Sequence, residues 1–328
     1  MKIMLRVFLF VFLSKISSGF EVKSWTESRI LGEGPHWDDK SQNLYFVDDF
    51  GSSIHRYDPK EEKEYYCKVH ESAPVSIVIP IKDKPNEFAV TIGKNLTIVT
   101  WDGTSKTPES VKTVVALDEG PGKEENQFND GKVDGKGRLW VGTMGPVKND
   151  DFTPTAGSLY SIEMGKEPVK HFDNVSISNG LIWNQNYDKM FYIDSPTRKI
   201  DVFDFDLENG ALSNRRLFFD VTDYLTDIKY GPDGMTIDDN DNLWVALFGS
   251  GKILNINGKT GEFIKEIKLP VTCPTSIAFG GTHLDELYVT SSAFFTKPED
   301  KKLYPASGGT LRIIHVGVKG RIANPAQF

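Results

Sequence analysis

Leu44-Tyr45-Phe46-Val47-Asp48 is the first instance of a pattern that occurs six times along the 328-residue chain. Related segments lie at residues 88–92, 139–143, 190–194, 243–247 and 287–291. Short runs rich in β-branched and aromatic residues, bounded by polar turns, are typical of strands. A shorter apolar strand precedes each segment and a third strand follows it. The pattern therefore predicts six equivalent β units.

One position in the short first strand of each unit is usually polar. Counting four residues back from the last bulky residue of that strand gives a column of six: Glu33, Val75, Asn129, Asn179, Asp233 and Thr275. Successive members are 42, 54, 50, 54 and 42 residues apart, a period typical of four-stranded propeller blades. We predict an all-β fold, a six-bladed β-propeller of four-stranded antiparallel blades around a central channel that contains a metal ion.

The ring needs a fourth strand for its last unit, because no strand pattern follows Val316. We predict that residues 25–31, ahead of the first unit, supply this strand and close the ring. Closure of this kind protects sheet edges that would otherwise be exposed.

The first 19 residues have the features of a secretory signal peptide. Lys2 and Arg6 precede an apolar run at residues 7–13, and small residues follow up to Gly19. That run is too short for a comfortable membrane span. We predict cleavage between Gly19 and Phe20, a propeller at residues 20–328 and a secreted protein. The alternative is a buried N-terminal strand.

Export gives meaning to two other features. Asn95 and Asn174 each begin an N-glycosylation sequon, so both are predicted glycosylation sites. Cys67 and Cys273 are the only cysteines. They form either one disulfide or two buried free thiols, and the fold cannot depend on a disulfide framework.

The charge balance restricts the partners. Lys and Arg number 38 and Asp and Glu number 46, which gives a formal net charge of -8. Nucleic acids and anionic membranes usually require a basic surface, so we expect neither. A small-molecule substrate is the expected partner, bound by a monomer that has no membrane attachment after signal cleavage.

Four members of the column bear side-chain oxygens suited to a metal ion. In a propeller, Glu33, Asn129, Asn179 and Asp233 would converge from four blades on the channel axis. Carboxylate and amide oxygens form a hard site, which suits Ca²⁺ or, with waters added, Mg²⁺ or Mn²⁺. The alternative is that Asn129, Asn179 and Asp233 mark turns. Each is followed by Asp or Gly, and Asn-Gly and Asp-Gly pairs often occur in turns.

Four motifs in this chain resemble a known family. They are Gly32-Glu33-Gly34-Pro35-His36-Trp37, Phe128-Asn129-Asp130-Gly131-Lys132-Val133-Asp134, Ile177-Ser178-Asn179-Gly180-Leu181 and Pro232-Asp233-Gly234-Met235. Together they are similar to the family of regucalcin, gluconolactonase and luciferin-regenerating enzyme. The resemblance extends from about residue 28 to residue 320. Segments at residues 44–48, 67–69, 100–103 and 317–320 most resemble the insect luciferin-regenerating branch.

The resemblance implies a propeller with one catalytic divalent metal. Glu33, Asn179 and Asp233 would be its protein ligands, and Asn129 would lie beside it and contact substrate or water. Asp233 would also serve as the catalytic general base. Ca²⁺ is the expected ion, with Mn²⁺, Mg²⁺ and Zn²⁺ as alternatives.

Two departures from the family pattern concern the substrate. Sugar-lactone-binding members carry Arg where this chain has Gln127, and Glu at about the place of Val147. Without these charged groups, the resemblance implies a metal-dependent hydrolase for a lactone or related ester that is less polar than a sugar lactone. The alternatives are a non-catalytic, metal-stabilised propeller that binds a small apolar ligand, and a luciferin-regenerating type of enzyme acting on a heteroaromatic product.

Overall fold

The computed structural model describes residues 12–15, 20–24, 28–148 and 151–328. Two N-terminal strands, β1 (Phe12–Lys15) and β2 (Glu21–Ser24), precede the repeats. The first blade contains β3 (Gly32–Asp38), β4 (Asn43–Asp48), β5 (Ser53–Asp58) and β6 (Lys63–Lys68). The second contains β7 (Val75–Pro80), β8 (Glu87–Ile92), β9 (Asn95–Thr100) and β10 (Ser110–Ala116).

The third blade has a short hairpin inserted between its second and third strands. Its strands are β11 (Gln127–Val133), β12 (Leu139–Met144), the hairpin pair β13 (Val147–Lys148) and β14 (Asp151–Phe152), then β15 (Gly157–Ile162) and β16 (Val169–Val175). The fourth blade contains β17 (Ser178–Trp183), β18 (Lys189–Asp194), β19 (Lys199–Asp206) and β20 (Ala211–Asp220).

The last two blades complete the ring. The fifth contains β21 (Pro232–Ile237), β22 (Leu243–Leu247), β23 (Lys252–Ile256) and β24 (Phe263–Lys268). The sixth contains β25 (Pro274–Gly280), β26 (Glu286–Ser291) and β27 (Leu311–Ile314). Short helical turns lie at Ser195–Thr197, Thr222–Tyr224 and α1 (Asp300–Leu303). The predicted six-bladed β-propeller is confirmed.

The ring closes through the N-terminus, but not through the predicted segment. β2 pairs antiparallel with β27, so that Val22 faces Ile313. Of the predicted residues 25–31, the first three lie outside the described residues. In the remainder, the Ile30 and Leu31 amides donate to the Asp48 carboxylate. Leu31 forms a bridge to Ser292 beside blade six, but the fourth strand of that blade is β2.

β1 pairs with β2 as a fifth strand outside the blade pattern. Most of the predicted signal peptide, residues 1–11 and 16–19, lies outside the described residues. Cleavage between Gly19 and Phe20 would leave β2 whole. No helix in the described ranges is long and apolar enough to span a membrane.

Strand register corrects one column member. In blade 1, Gly32 pairs with Asp48 and Glu33 follows. In blade 2, Val75 pairs with Ile92 at the equivalent place, so Ser76 is the member of the column and Val75 is not. The count along the sequence started from Ile79, the last bulky residue of β7. The strand extends to Pro80, so the count was wrong by one residue. All six column residues therefore carry a side-chain oxygen.

The core is divided among the blade junctions. Each of the six junctions buries its own cluster of apolar side chains, contributed by the two blades that meet there. Val22 belongs to the cluster between blades 5 and 6 and is 1% exposed. Burial of this kind is the main stabilising contribution, so the ring is held by contacts between neighbouring sheets.

The C-terminal residues 320–328, which we call the C-terminal strap, cross the end of the channel opposite the column. Gly320 forms a bridge to Asp238 of blade 5, and Ala326 forms a bridge to Ile81 of blade 2. The Gln327 amide donates to the Gly137 carbonyl of blade 3. The strap therefore connects blades that lie on different sides of the ring.

Candidate metal centre

A cavity that opens to solvent and contains about 920 Å³ of empty space lies at the column end of the channel, and we call it the upper cavity. The predicted metal and substrate residues all line it: Glu33, Gln127, Asn129, Val147, Asn179 and Asp233. They come from β3, β11, β13, β17 and β21, so five strands in four blades contribute. The structure brings these residues together, while their roles as ligands remain predictions.

The carboxylates of Glu33 and Asp233 in this cavity repel each other electrostatically. Burial and the nearby Asp233 raise the pKa of Glu33 well above its usual value. Burial, followed by the charge of Asp130, raises the pKa of Asp233. Like charges placed together in a desolvated site favour protonation unless a cation offsets them. A divalent ion between Glu33 and Asp233 would supply that positive charge.

The side-chain amides of Asn129 and Asn179 donate hydrogen bonds through their nitrogens, so that each amide oxygen remains available. The Asn129 Nδ2 donates to the Ser178 carbonyl at 2.7 Å, and the Asn179 Nδ2 donates to the Ser195 hydroxyl at 2.9 Å. With the amide nitrogens engaged, each Oδ1 can accept a proton donor or coordinate an ion.

The donor chemistry fits a hard divalent ion. Among the described residues, no group of three or more His, Cys, Asp or Glu side chains is arranged as a metal site. A site at the axis therefore requires the Asn179 amide oxygen in addition to Glu33 and Asp233. Two carboxylates and an amide oxygen suit Ca²⁺, whose remaining positions waters can fill.

The other column residues fasten neighbouring blades. The Ser76 hydroxyl donates to the Phe128 carbonyl of blade 3, and the Thr275 hydroxyl donates to the Gly32 carbonyl of blade 1. The Asn129 amide makes the same kind of bond to blade 4. Each bond reaches the residue that precedes the next column member. Ser76 and Thr275 thus use their hydroxyl protons on the backbone.

A glycine follows each of the three predicted ligands, where the next blade approaches closely. A Cβ at Gly34, Gly180 or Gly234 would lie 2.8 Å from the Ser76 oxygen, 2.7 Å from the Asp233 oxygen or 2.0 Å from the Ser276 hydroxyl, respectively. Only glycine leaves room for these contacts. The ligand positions are therefore packed backbone to backbone.

The turn alternative for these pairs is wrong. Asn179-Gly180 lies within β17 and Asp233-Gly234 lies within β21. In both strands the pairing shifts register across this dipeptide. The dipeptides mark β-bulges, which commonly redirect side chains near functional sites.

Asp49 is a site residue that the column did not include. It follows β4, lines the cavity and is 2% exposed. Its Oδ1 accepts no hydrogen bond from the described residues, and burial, aided by Asp48, raises its pKa to about 7. The second Asp after Leu44-Tyr45-Phe46-Val47 was its only sequence signal.

The outer wall of the cavity is largely aromatic. Five rings form a continuous series of edge contacts with centroid separations of 5.0–5.6 Å, which we call the aromatic arc: Phe50, Phe294, Phe295, Phe248 and Tyr230. All of them except Phe294 line the cavity. Phe152 of the β13–β14 hairpin and Met144 line the cavity as well. Val147, in the same hairpin, is 43% exposed. This wall suits a flat or apolar group.

The remaining predicted positions lie away from the cavity. Asn174 is exposed, whereas Asn95 is half-buried at the start of β9. Cys67 and Cys273 are both buried free thiols, which settles the two readings of the cysteines against a disulfide. Glycosylation stays a prediction.

Residues 31–293 match the family model described as the SMP-30/Gluconolactonase/LRE-like region. The chain belongs to this family. Regucalcin from Xenopus laevis is 37% identical over 296 residues, which cover 90% of this chain and 94% of that protein. The resemblance drawn from the four motifs is thereby confirmed.

Solved structures give the same grouping. A luciferin-regenerating enzyme superimposes with a TM-score of 0.87 at 37% identity, covering 94% of this chain and all of that chain. A calcium-binding regucalcin from Agrobacterium tumefaciens superimposes with a TM-score of 0.79 at 24% identity over 92% of this chain and 95% of that chain. The second likeness concerns the fold alone.

Proposed function

We propose that this protein is a divalent-metal-dependent hydrolase for a lactone or related ester with an apolar or aromatic portion. The observation that carries the proposal is the cavity itself, in which two carboxylates and two oriented amides face an aromatic wall. Membership of the gluconolactonase and regucalcin family supports the hydrolytic chemistry.

Glu33, Asn179 and Asp233 would hold the ion. When bound, a divalent ion of this kind polarises a carbonyl and stabilises negative charge that develops on its oxygen. Ca²⁺ is the proposed ion, since the oxygen donors of these three residues suit it.

The chain's own groups would handle water and substrate. Asp233 accepts the proton of the attacking water as general base. The side-chain oxygen of Asn129, held by its bond to Ser178, orients water or the ester. The aromatic arc and the β13–β14 hairpin take the apolar portion of the substrate, since Val147 and Gln127 provide no charge for a polyhydroxylated lactone.

The test is hydrolysis of a panel of γ- and δ-lactones, sugar lactones and aryl esters with Ca²⁺, Mn²⁺, Mg²⁺, Zn²⁺ or chelator. We expect aryl esters or apolar lactones to turn over in a metal-dependent way. Asp233→Ala should abolish turnover and metal binding together, while Asp223→Ala, which removes an exposed carboxylate, should change neither. Unchanged hydrolysis by Asp233→Ala would refute the assignment.

A second candidate function uses the same site for a different reaction, on a heteroaromatic compound. The aromatic arc and the 37% identity to a luciferin-regenerating enzyme favour a heteroaromatic ligand. Metal-dependent thermal stabilisation and binding of such a compound, with no ester hydrolysed under any metal, would favour this candidate or a purely binding role.

We also propose that the protein is exported and glycosylated. Cleavage at Gly19–Phe20 preserves the closing strand β2, which supports this site, and exposed Asn174 leaves space for a glycan. N-terminal sequencing of protein secreted from eukaryotic cells should begin at Phe20. Retention of Met1 in an intracellular product would contradict the proposal.

A further inference from the structure

A second cavity, of about 930 Å³, lies at the other end of the channel, beneath the C-terminal strap. First-strand ends from blades 1, 3, 4, 5 and 6 line it, together with residues 321–324 of the strap. The column residues do not line it. We call it the lower cavity, and it is separate from the proposed metal centre.

The lower cavity is lined by hydrogen-bond donors. Lys132 on β11 donates to the Met235 carbonyl at 2.7 Å. Burial lowers the pKa of Lys132, and the charge of Asp130 offsets part of this effect. Trp183 also lines the cavity, but it is 2% exposed and its indole nitrogen is buried away from the open space.

Two further groups extend this set. Arg321 of the strap donates to the Trp183 carbonyl at 2.7 Å and lies 3.8 Å from Asp241. His36 lines the cavity, and burial lowers its pKa to about 4, with Lys132 contributing in the same direction. His36 is therefore neutral at physiological pH, and Lys132 and Arg321 supply the positive charge.

Acidic residues are absent from the described lining of this cavity, although the whole chain is acidic with a net charge of -8. Asp130 and Asp241 act on Lys132 and Arg321 from outside the lining. Neither forms a close ion pair with Lys132. Lys132 is half-buried, and an ammonium in such a place without a close carboxylate partner is stabilised by an anion that approaches it.

We propose that the lower cavity binds a small oxyanion, a carboxylate or phosphate group, between Lys132 and Arg321. Lys132 supplies a compact charge, and Arg321 can bind two oxygens of the anion. Since Arg321 belongs to the strap and Lys132 to blade 3, the anion fastens the strap to the channel wall. The lower cavity is thus a ligand site distinct from the proposed hydrolytic one.

The test is calorimetric titration of the metal-free full-length protein with sodium phosphate, against sodium chloride at equal ionic strength. A parallel titration with sodium acetate separates a carboxylate site from a phosphate site. We expect saturable binding of at least one of the two anions. Lys132→Met and Arg321→Gln should each weaken it by at least tenfold.

Two controls isolate the site. Lys136→Met removes an exposed lysine of the same blade, one that pairs with Glu208, and Glu33→Gln alters the upper cavity; both should leave anion binding unchanged. If Lys132→Met does not fold, Arg321→Gln decides the question alone. Absence of saturable binding, or binding unaffected by Arg321→Gln, overturns the proposal. Binding lost in Glu33→Gln would place the anion at the metal centre instead.

Discussion

Asp49 shows how burial changes the protonation of a single side chain. Desolvation raises its pKa from 3.8 to about 7, so the folded protein keeps a proton that the unfolded chain releases. Stability contributed by this group therefore decreases as the pH rises from about 4 through 7. An amide at this position would have no such dependence.

We predict that Asp49→Asn gains stability relative to the wild type as the pH increases. In metal-free protein, the difference in the free energy of unfolding should grow by about 2 kcal/mol between pH 5 and pH 8. Urea unfolding at both pH values measures it. Asp285→Asn, at an exposed position, is the control, and a pH-independent difference for Asp49→Asn would contradict the prediction.

Val147 is a second residue whose chemistry can be tested by itself. It lines the upper cavity from the β13–β14 hairpin. We predict that Val147→Glu lowers kcat/KM for an apolar aryl ester by about tenfold, since a charge replaces an apolar contact with the substrate. Val147→Gln separates size from charge. An undiminished rate with Val147→Glu would show that the substrate does not reach the hairpin.

The closing strand β2 is the element on which the ring depends. Val22 is fully buried between blades 5 and 6, whereas Lys23 on the other face is half-buried. Val22→Ala removes two methyl groups from this core and should lower the free energy of unfolding by about 2 kcal/mol. Lys23→Ala should change it by less than about 0.5 kcal/mol. Chemical denaturation of both variants is the measurement, and equal effects would contradict the assignment of β2 as the closing strand.

The sequence predicted the elements better than their ends. The repeated Leu44-Tyr45-Phe46-Val47-Asp48 pattern located the second strand of every blade, since a fully buried strand must be apolar along its length. It did not locate the closing strand, because four residues such as Glu21–Ser24 carry too few apolar side chains to indicate a strand. Ser76 was missed because register is fixed by pairing with β8, which no count along one strand can show.

At the scale of the whole molecule, the repeat in the sequence predicted both the site residues and their meeting point. Residues at equivalent positions of a ring of blades converge on the channel axis. The aromatic arc and the lower cavity did not follow from it. Phe294 and Phe295 lie in a connection between strands, and Arg321 lies in the strap. Such segments obey no period, so their positions depend on contacts between distant parts of the chain.

We predict that metal removal loosens three blade junctions and leaves the other three unchanged. Hydroxyl or amide donors connect blades 2 to 3, 3 to 4 and 6 to 1. Glu33 and Asp233 have no proton to donate to a neighbouring blade, and the Asn179 side chain contacts the Asp233 carboxylate across the junction of blades 4 and 5. A bound ion would therefore stabilise the junctions after these three residues. Chelation should lower the melting temperature and increase amide hydrogen exchange in β3, β17 and β21. A uniform increase around the ring would contradict the prediction.

The column position therefore has two uses: a residue there can donate a hydrogen bond to the next blade, or it can offer an oxygen to the axis, and only an amide such as Asn129 can do both. Ser76 and Thr275 serve the first use, and Glu33 and Asp233, which have no proton to donate, suit the second. When such a propeller has a carboxylate at the column position, it loses the hydrogen bond that a hydroxyl group there would donate to the next blade. Mutational drift that replaced such a residue by serine or threonine would yield a tougher but inert protein, so stable descendants without activity are an expected outcome of this architecture.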